Sequence, residues 1–161
     1  KALCEKSFSI FERKGKQNKH RAIVVQNKTR LLFINHKARV LVFDLVFDIE
    51  CLYSNSYLET KKILREVHRV LSPNGLFYSK TFSTKISGLK SAKKLRGEKD
   101  TYVSIPKGPL RKEYKIIRLM KESNIKKVYS IFRNLKWDSI VRTDSNKKKL
   151  IGEWIITGVK R

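Results

Sequence analysis

The pattern of apolar and polar positions is most regular in the middle of the chain. Residues 40–49 form a nearly continuous run of β-branched and aromatic side chains, which predicts a strand buried on both faces, as in a parallel sheet. Apolar residues at helical spacing then predict a helix over residues 57–71, where Ser56 and Glu59 supply a capping box. A Ser-Pro-Asn-Gly turn and a second strand over residues 76–83 follow. These segments predict a right-handed βαβ unit with parallel strands.

The segments on either side have weaker patterns. Residues 2–11 predict a short helix, and residues 22–25 and 31–34 predict two short strands. Residues 85–111 are basic and contain several glycines and prolines. They therefore predict a long loop of the kind that is either functional or disordered.

The last part of the chain has a clearer pattern. It predicts a short strand over residues 114–120 and a helix over residues 123–135 with Ser123 as its N-cap. Two strands over residues 137–143 and 150–159 are separated by polar turn residues and a run of lysines. We therefore expect a C-terminal antiparallel hairpin.

Length and charge narrow the class of protein. The chain has 161 residues, for which one domain is expected, and its formal net charge is +24 at pH 7. Such a charge attracts polyanions and makes nucleic acid a candidate partner. A coding bias towards lysine explains the charge somewhat better, because lysine outnumbers arginine and the basic residues are dispersed along the chain. The apolar run over residues 40–49 is too short and too polar to span a bilayer, so no membrane partner is expected.

Cysteines and histidines give no site of their own. Cys4 and Cys51 are too few for a disulfide framework and fit a reducing compartment, so a cytoplasmic location is predicted. The three histidines lack metal-ligand spacing, so no metal site is predicted.

Two segments of the βαβ unit would meet at the edge where open parallel sheets bind ligands, beyond the carboxyl ends of the strands. They are residues 48–53 and residues 81–83. Asp48 and Glu50 stand close together there in a chain that is otherwise basic, which favours a functional pair of carboxylates. A structural interpretation is equally open, in which Asp48 caps the loop and Glu50 is solvated.

Four blocks of sequence follow one another in the order of a known enzyme family. Residues 43–48 read FDLVFD, and residues 64–75 read LREVHRVLSPNG. They resemble the FDLV strand and the E-x-x-R-V-L-x-P-x-G helix and turn of class I S-adenosylmethionine-dependent methyltransferases. Residues 116–132 resemble the strand and helix near the end of that family, and residues 134–159 resemble its closing hairpin. The resemblance covers residues 40–161.

The resemblance implies an α/β fold, namely an incomplete Rossmann-like methyltransferase fold with parallel strands and a C-terminal antiparallel hairpin. It implies one partial domain over residues 1–161, in which residues 1–39 are a divergent remnant. The glycine-rich cofactor loop of the family is missing, since none of the seven glycines forms a G-x-G. Only Gln26 and Asn27 stand where the family has an acidic residue near the adenine. The first strand of the family, its loop and the second strand are therefore expected to be absent.

The resemblance also implies a function, a cofactor and site residues. The expected function is that of an S-adenosylmethionine-dependent methyltransferase, truncated or inactive in this form, with a small-molecule or macromolecular acceptor. Asp48 and Glu50 would orient the acceptor. The implied cofactor contacts are Asp48, Ile49 and Cys51, and the implied substrate contacts are Tyr53, Phe82 and Ser83. The alternative is a non-catalytic basic domain of the same fold that binds RNA or another polyanion. The oligomeric state is left open.

Overall fold

The computed structural model describes residues 8–14, 19–26, 43–111 and 116–161. The predicted strand over residues 31–34 lies outside the described residues. The same holds for residues 2–7 of the predicted N-terminal helix and for residues 40–42 of the predicted first strand of the βαβ unit.

Within the described residues, six strands form a main sheet and three short strands form a second one. The strands are β1 (Phe8–Lys14), β2 (Lys19–Gln26), β3 (Phe43–Ile49), β4 (Leu71–Ile86), β5 (Lys93–Lys94), β6 (Thr101–Ser104), β7 (Ile117–Arg118), β8 (Arg133–Asp144) and β9 (Lys149–Val159), and the helices are α1 (Tyr57–Val70) and α2 (Glu122–Val128). The main sheet has the order β1-β2-β3-β4-β9-β8. Strands β2, β3 and β4 are parallel, whereas β1, β9 and β8 are antiparallel to their neighbours. The predicted βαβ unit and the predicted C-terminal hairpin are both confirmed.

Helix α1 forms where the sequence predicts it. The Ser56 hydroxyl accepts a hydrogen bond from the Glu59 amide at 3.2 Å, and the Glu59 carboxylate accepts one from the Ser56 amide at 3.1 Å. This capping box satisfies two N–H groups that the helix leaves unpaired. The helix ends at Val70, one residue earlier than predicted, because Leu71 already pairs with β3. The predicted Ser-Pro-Asn-Gly turn is an irregularity within β4, where Asn74 has the left-handed φ of 63°.

One face of the main sheet packs against both helices. The buried cluster on this face joins Phe77 of β4 and Ile156 of β9 to Leu64 and Val67 of α1 and to Ile125 of α2. Burial of these side chains is the main stabilising contribution to the described part of the chain.

The second face of the main sheet is only half covered. Leu45, Phe47 and Ile49 of β3 point to this face and are half-buried. The prediction that this strand is buried on both faces is therefore wrong for its described part. The reason is that both described helices pack on the same face.

Residues 85–111 are more ordered than predicted. They include the end of β4, strands β5 and β6 and a 3-10 turn over Leu89–Ser91, and β6 pairs with β7. The prediction of one long loop is wrong, because a few apolar residues in this basic sequence pack into a second cluster. Its members from this segment include Ile86 of β4 and the buried Tyr102, Ile105 and Leu110, which pack with Phe82 of β4.

The two ends of this segment cross at a pair of glycines. Gly88 and Gly108 both have positive φ, of 94° and 88°. A Cβ on either would lie 2.0 Å from a backbone carbonyl oxygen of the other end, so only glycine permits this crossing.

Two further boundaries differ from the predictions. Strand β1 covers residues 8–11, so the predicted N-terminal helix is wrong there, whereas β2 confirms the strand over residues 22–25. Helix α2 has Lys121 rather than Ser123 at its N-cap and ends at Val128, well before residue 135. It ends early because the Phe132 amide closes a turn on the Tyr129 carbonyl and β8 begins at the next residue.

Candidate functional site

The loop after β3 is held by the carboxylate of Asp48, which is 2% exposed. Its Oδ1 accepts hydrogen bonds from the backbone N–H groups of Cys51 and Leu52, both at 3.1 Å. Its Oδ2 accepts a hydrogen bond from the Ser79 hydroxyl of β4 at 2.5 Å. Asp48 therefore ties the loop to the parallel strands β3 and β4 and caps it, as the structural interpretation of the sequence proposed.

Burial controls the protonation of this carboxylate. It raises the pKa of Asp48 from 3.8 to about 6, and the hydrogen bonds from Ser79, Cys51 and Leu52 oppose the rise only in part. The Ser79 hydroxyl lies 3.2 Å from the Tyr129 hydroxyl, and burial raises the pKa of Tyr129 to about 12. Asp48, Ser79 and Tyr129 form a hydrogen-bonded chain on the helix-covered face, called the Asp48 network below.

Glu50 lies two residues further along and has different surroundings. Its φ of 56° turns the chain, and its amide donates a hydrogen bond to the Lys80 carbonyl at 2.9 Å. Its carboxylate pairs with the Lys80 ammonium at 3.0 Å, and the side chain is 26% exposed. Lys80 also pairs with Glu153 at 3.1 Å, and Arg142 approaches Glu153 at 3.5 Å. Glu50, Lys80, Glu153 and Arg142 are called the Lys80 network.

Ion pairing controls the protonation of the Lys80 network. Burial alone would lower the pKa of Lys80, but its hydrogen bonds to Glu50 and Glu153 raise that pKa above the ordinary value. Burial alone would raise the pKa of Glu153, but hydrogen bonds from Lys80 and Arg142 hold it below the ordinary value. Lys80 and Glu153 are therefore both charged near neutral pH.

The residues predicted as substrate contacts lie together at the carboxyl end of β4. The rings of Tyr53 and Phe82 meet edge to face with centroids 4.9 Å apart, and each residue is 5% exposed. Ser83 is also buried, and its hydroxyl accepts a hydrogen bond from the Lys85 amide at 3.1 Å. The structure thus brings the two predicted segments, residues 48–53 and 81–83, into contact.

The residues predicted as cofactor contacts differ in exposure. Asp48 is nearly buried and Cys51 is fully buried, whereas Ile49 is half-buried. In this conformation, Ile49 is the predicted cofactor contact with appreciable surface, and Glu50 provides the neighbouring exposed carboxylate.

Sequence reasoning missed three charged residues of this region, namely Lys80, Arg118 and Glu153. Arg118 is 4% exposed and donates a hydrogen bond from Nη2 to the Leu52 carbonyl at 3.4 Å, beneath the same loop. Two of them could have been found from the sequence, because each is a single charged residue inside an apolar run. The runs are IIRLM for Arg118 and LIGEWII for Glu153. A buried charge is costly unless it has partners, so such a charge marks a buried polar site.

The glycines test whether the described residues fit S-adenosylmethionine, because the cofactor loop of the family is glycine-rich. At five of the six described glycines, an added Cβ would lie at most 2.8 Å from another atom of this chain. These five are Gly75, Gly88, Gly108, Gly152 and Gly158. Only Gly97, far along the 85–111 segment, faces open space. The described residues therefore provide no glycine cradle for the cofactor.

No described helix is long and apolar enough to cross a membrane. In the described ranges, no group of three or more His, Cys, Asp and Glu side chains could hold a metal ion.

Comparison with known proteins gives matches at the level of structure. No protein-family model and no curated protein sequence matches the chain. A SAM-dependent methyltransferase from Methanosarcina mazei is similar, with a TM-score of 0.58 and 18% identity over 77% of this chain and 62% of that one. The 1,6-didemethyltoxoflavin-N1-methyltransferase of Burkholderia thailandensis, solved with 1,6-didemethyltoxoflavin and S-adenosylhomocysteine, has a TM-score of 0.50 and 16% identity over 78% of this chain and 47% of that one.

These similarities define the fold. The chain has a class I S-adenosylmethionine-dependent methyltransferase-like fold, in the incomplete Rossmann-like form that the sequence predicted. It spans 62% and 47% of the lengths of the two similar structures. Identities this low show the fold alone, because one fold hosts many activities.

Proposed function

We propose that this chain is the acceptor-side part of an S-adenosylmethionine-dependent methyltransferase domain. The observation that carries the proposal is the loop over residues 48–53, which Asp48 ties to two parallel strands. The loop lies at the sheet edge where open α/β proteins bind ligands. The methyltransferase-like fold supports the same function. The proposed methyl acceptor is a small molecule or a macromolecule.

Methyl transfer requires mainly that the protein position the reacting groups. S-adenosylmethionine supplies an activated methyl group when bound, and the protein must hold the nucleophilic atom of the acceptor in line with it. A general base is needed only when the acceptor loses a proton during the transfer. The two predicted carboxylates differ in how well they suit this task.

Glu50 is the carboxylate that we assign to the acceptor. It is partly exposed, and Lys80 holds it at 3.0 Å on the ligand-binding edge. Asp48 is a positioning residue, since its two oxygens accept hydrogen bonds from the loop and from Ser79. Tyr53 and Phe82 support the acceptor side from beneath through their ring contact.

Ile49 is the proposed contact with the cofactor, because its side chain retains surface beside Glu50. Since the described residues provide no glycine cradle, we expect the 161-residue chain to bind S-adenosylmethionine weakly, in the millimolar range. Affinity would then come from the acceptor-side edge alone.

Isothermal titration calorimetry with S-adenosylmethionine tests the proposal. We expect weak binding to the unmodified chain and to Glu66→Gln, an exposed control on α1. We expect Glu50→Gln to retain cofactor binding, because Glu50 is assigned to the acceptor. Absence of heat at millimolar cofactor would remove the active-enzyme proposal for this chain.

A second candidate function is polyanion binding without catalysis. The observation in its favour is the tip of the β8–β9 hairpin, where Lys147 and Lys148 are exposed. Two hydrogen bonds between Ser87 and Leu150, at 3.0 and 2.8 Å, place this tip beside the basic 85–111 segment. Exposed lysines on the tip and on this segment would suit the phosphates of single-stranded RNA.

Fluorescence anisotropy with a single-stranded RNA oligonucleotide tests this alternative. We expect the double variant Lys147→Glu/Lys148→Glu to weaken binding at least tenfold at low salt. The control Lys62→Glu/Arg65→Glu makes the same charge change on exposed positions of α1. Equal losses in both variants would show that net charge alone attracts RNA, which would contradict a specific surface.

A further inference from the structure

A guanidinium that has no carboxylate at ion-pair distance among the described residues is buried beneath the loop over residues 48–53. Arg118 is 4% exposed, and its Nη2 donates to the Leu52 carbonyl at 3.4 Å. Its Nε has no hydrogen-bond partner among the described residues. In the same part of the chain, no carboxylate oxygen comes within the 4.0 Å that defines an ion pair with Arg118. An unpaired buried charge costs roughly several kcal/mol. Binding of an anion is the simplest way to offset that cost.

Arg118 lines a cavity of about 460 Å³. The cavity lies between the start of α1, helix α2 and residues 95–100, and Leu95, Leu119, Met120 and Val128 give it an apolar wall. Pockets for small molecules occupy roughly 300–1,000 Å³ and combine apolar walls with a few polar groups. We call this site the Arg118 cavity.

The acidic residues of the Arg118 cavity already have partners. The Glu98 carboxylate accepts a hydrogen bond from the Tyr57 amide at 3.1 Å. Asp100 pairs with Lys121 at 2.9 Å. Neither acid is therefore the partner of Arg118.

The nearby carboxylate outside the lining is also occupied. Asp48 accepts three hydrogen bonds of its own, from two backbone amides and the Ser79 hydroxyl. Its charge, like that of Glu98, acts on Arg118 from beyond ion-pair distance.

The cations of the lining outnumber its acids. Besides Arg118, the basic residues are Arg96, Lys99 and Lys127, and none of them forms an ion pair within the described ranges. The cavity thus has a positive field, an apolar wall and one guanidinium at its buried side. These three properties together match a small organic anion.

We propose that the Arg118 cavity binds the oxyanion group, carboxylate or phosphate, of a small amphipathic ligand. The guanidinium of Arg118 holds the oxyanion, and the apolar wall receives the rest of the molecule. Arg96, Lys99 and Lys127 attract the ligand from solvent.

The Arg118 cavity also bears on the proposed methyltransferase function. The identification of its ligand as the methyl acceptor rests on that proposed function. Arg118 donates a hydrogen bond to the carbonyl of Leu52, so this side chain links the cavity to the loop that carries Glu50. In that setting the anionic ligand is the methyl acceptor, which gives the acceptor class as a carboxylate or phosphate ester with an apolar body.

Calorimetry and NMR on the whole chain, without S-adenosylmethionine, test the cavity itself. The probes are benzoate, phenyl phosphate and the neutral benzamide. We expect one of the two anions to bind at least tenfold more tightly than benzamide, and the tighter anion identifies the carboxylate or the phosphate class. Binding of neither anion would overturn the proposal, whatever the result with S-adenosylmethionine.

The variant Arg118→Met removes the charge and keeps an apolar side chain of similar length. We expect it to weaken anion binding at least tenfold and to raise the midpoint of thermal unfolding, because an unpaired buried charge is lost. The control Arg65→Met, on the exposed side of α1, should change neither property. Equal anion binding by Arg118→Met would contradict the proposal.

A measurement on the unmodified chain keeps the test independent of that variant's folding. The side-chain Nε–H resonance of Arg118 should shift on addition of the binding anion, because the anion supplies its missing acceptor. An unshifted resonance at saturating anion would overturn the assignment of Arg118. If an anion binds the chain but S-adenosylmethionine does not, only the proposed methyl transfer is overturned, and the anion site stands.

Discussion

The two faces of the main sheet carry different polar networks, although Asp48 and Glu50 are two positions apart in the chain. On the helix-covered face, the Asp48 network is buried, and the Asp48 carboxylate accepts hydrogen bonds from the chain's own groups. On the other face, the Lys80 network is built from ion pairs, and a quarter of the Glu50 side chain, 26%, is exposed. One network fixes a loop, and the other presents a carboxylate to solvent.

The difference separates groups that stabilise the fold from a carboxylate that is available as a candidate ligand contact. Burial favours the neutral form of Asp48, whereas ion pairs favour the charged forms of Lys80 and Glu153. Changes on the covered face should therefore act mainly on folding. Changes at Glu50 should act mainly on binding.

The largest contrast should appear between two phenylalanines on neighbouring strands. Phe77 is fully buried on the covered face and stacks on Phe132 with centroids 4.7 Å apart, whereas Phe47 is half-buried on the other face beside Tyr78. We expect Phe77→Ala to lower the free energy of unfolding by about 3–5 kcal/mol. We expect Phe47→Ala to lower it by about 1–2 kcal/mol, as less apolar area returns to water. Equal losses in urea unfolding would mean that the second face is buried as deeply as the first.

The pH dependence of folding should report on Asp48. Its pKa rises from 3.8 in the unfolded chain to about 6 in the folded chain, so the folded state holds its proton more tightly. The resulting stability is fully present below the unfolded pKa and is lost as the pH rises through the folded pKa.

Between about pH 7.5 and pH 3.5, the unmodified chain should therefore gain about 3 kcal/mol of unfolding free energy relative to Asp48→Asn. The comparison removes the contribution of other titrating groups, which both proteins share. Parallel pH profiles for the two proteins would contradict a raised pKa at Asp48.

Removal of Lys80 should leave a buried carboxylate with a weaker partner. Glu153 is 1% exposed, and in Lys80→Met its one remaining ion-pair partner among the described residues would be Arg142, at 3.5 Å. We expect a loss of about 1–3 kcal/mol at neutral pH. The loss should shrink at low pH, where protonation of Glu153 removes its charge. A loss that does not depend on pH would show that Lys80 contributes packing alone.

The smallest effect on stability is expected at Glu50 itself. Its ion pair with Lys80 is partly exposed, so Glu50→Gln should cost about 0–1 kcal/mol in urea unfolding. A loss as large as that expected for Lys80→Met would make Glu50 a structural residue and would contradict its assignment to a ligand.

Local patterns predicted much of this fold. The capping box at Ser56 and Glu59 and the continuous apolar run of β3 depend on neighbours in sequence, and both appear in the structure. Strands β5 and β6 were not predicted, because Tyr102, Ile105 and Leu110 become core only through contact with the distant Ile117 and Leu119. Periodicity within a window does not contain such contacts.

The candidate site was predictable in place but not in detail. The topological rule for parallel sheets located residues 48–53 and 81–83, which do meet in the structure. The separate surroundings of Asp48 and Glu50 depend on Ser79 and Lys80, whose neighbouring side chains point to opposite faces of β4. The partners of Lys80 and Arg118 lie on β9 and on the loop, tens of residues away in sequence, so no motif indicates them.

Amide NMR during titration with S-adenosylhomocysteine tests the central claim most directly. We expect the largest shifts on residues 49–53 and on Lys80, with smaller changes on the hairpin tip at Lys147 and Lys148. Shifts confined to the hairpin tip and the 85–111 segment, or no shifts at millimolar ligand, would contradict an acceptor-side methyltransferase edge at this loop.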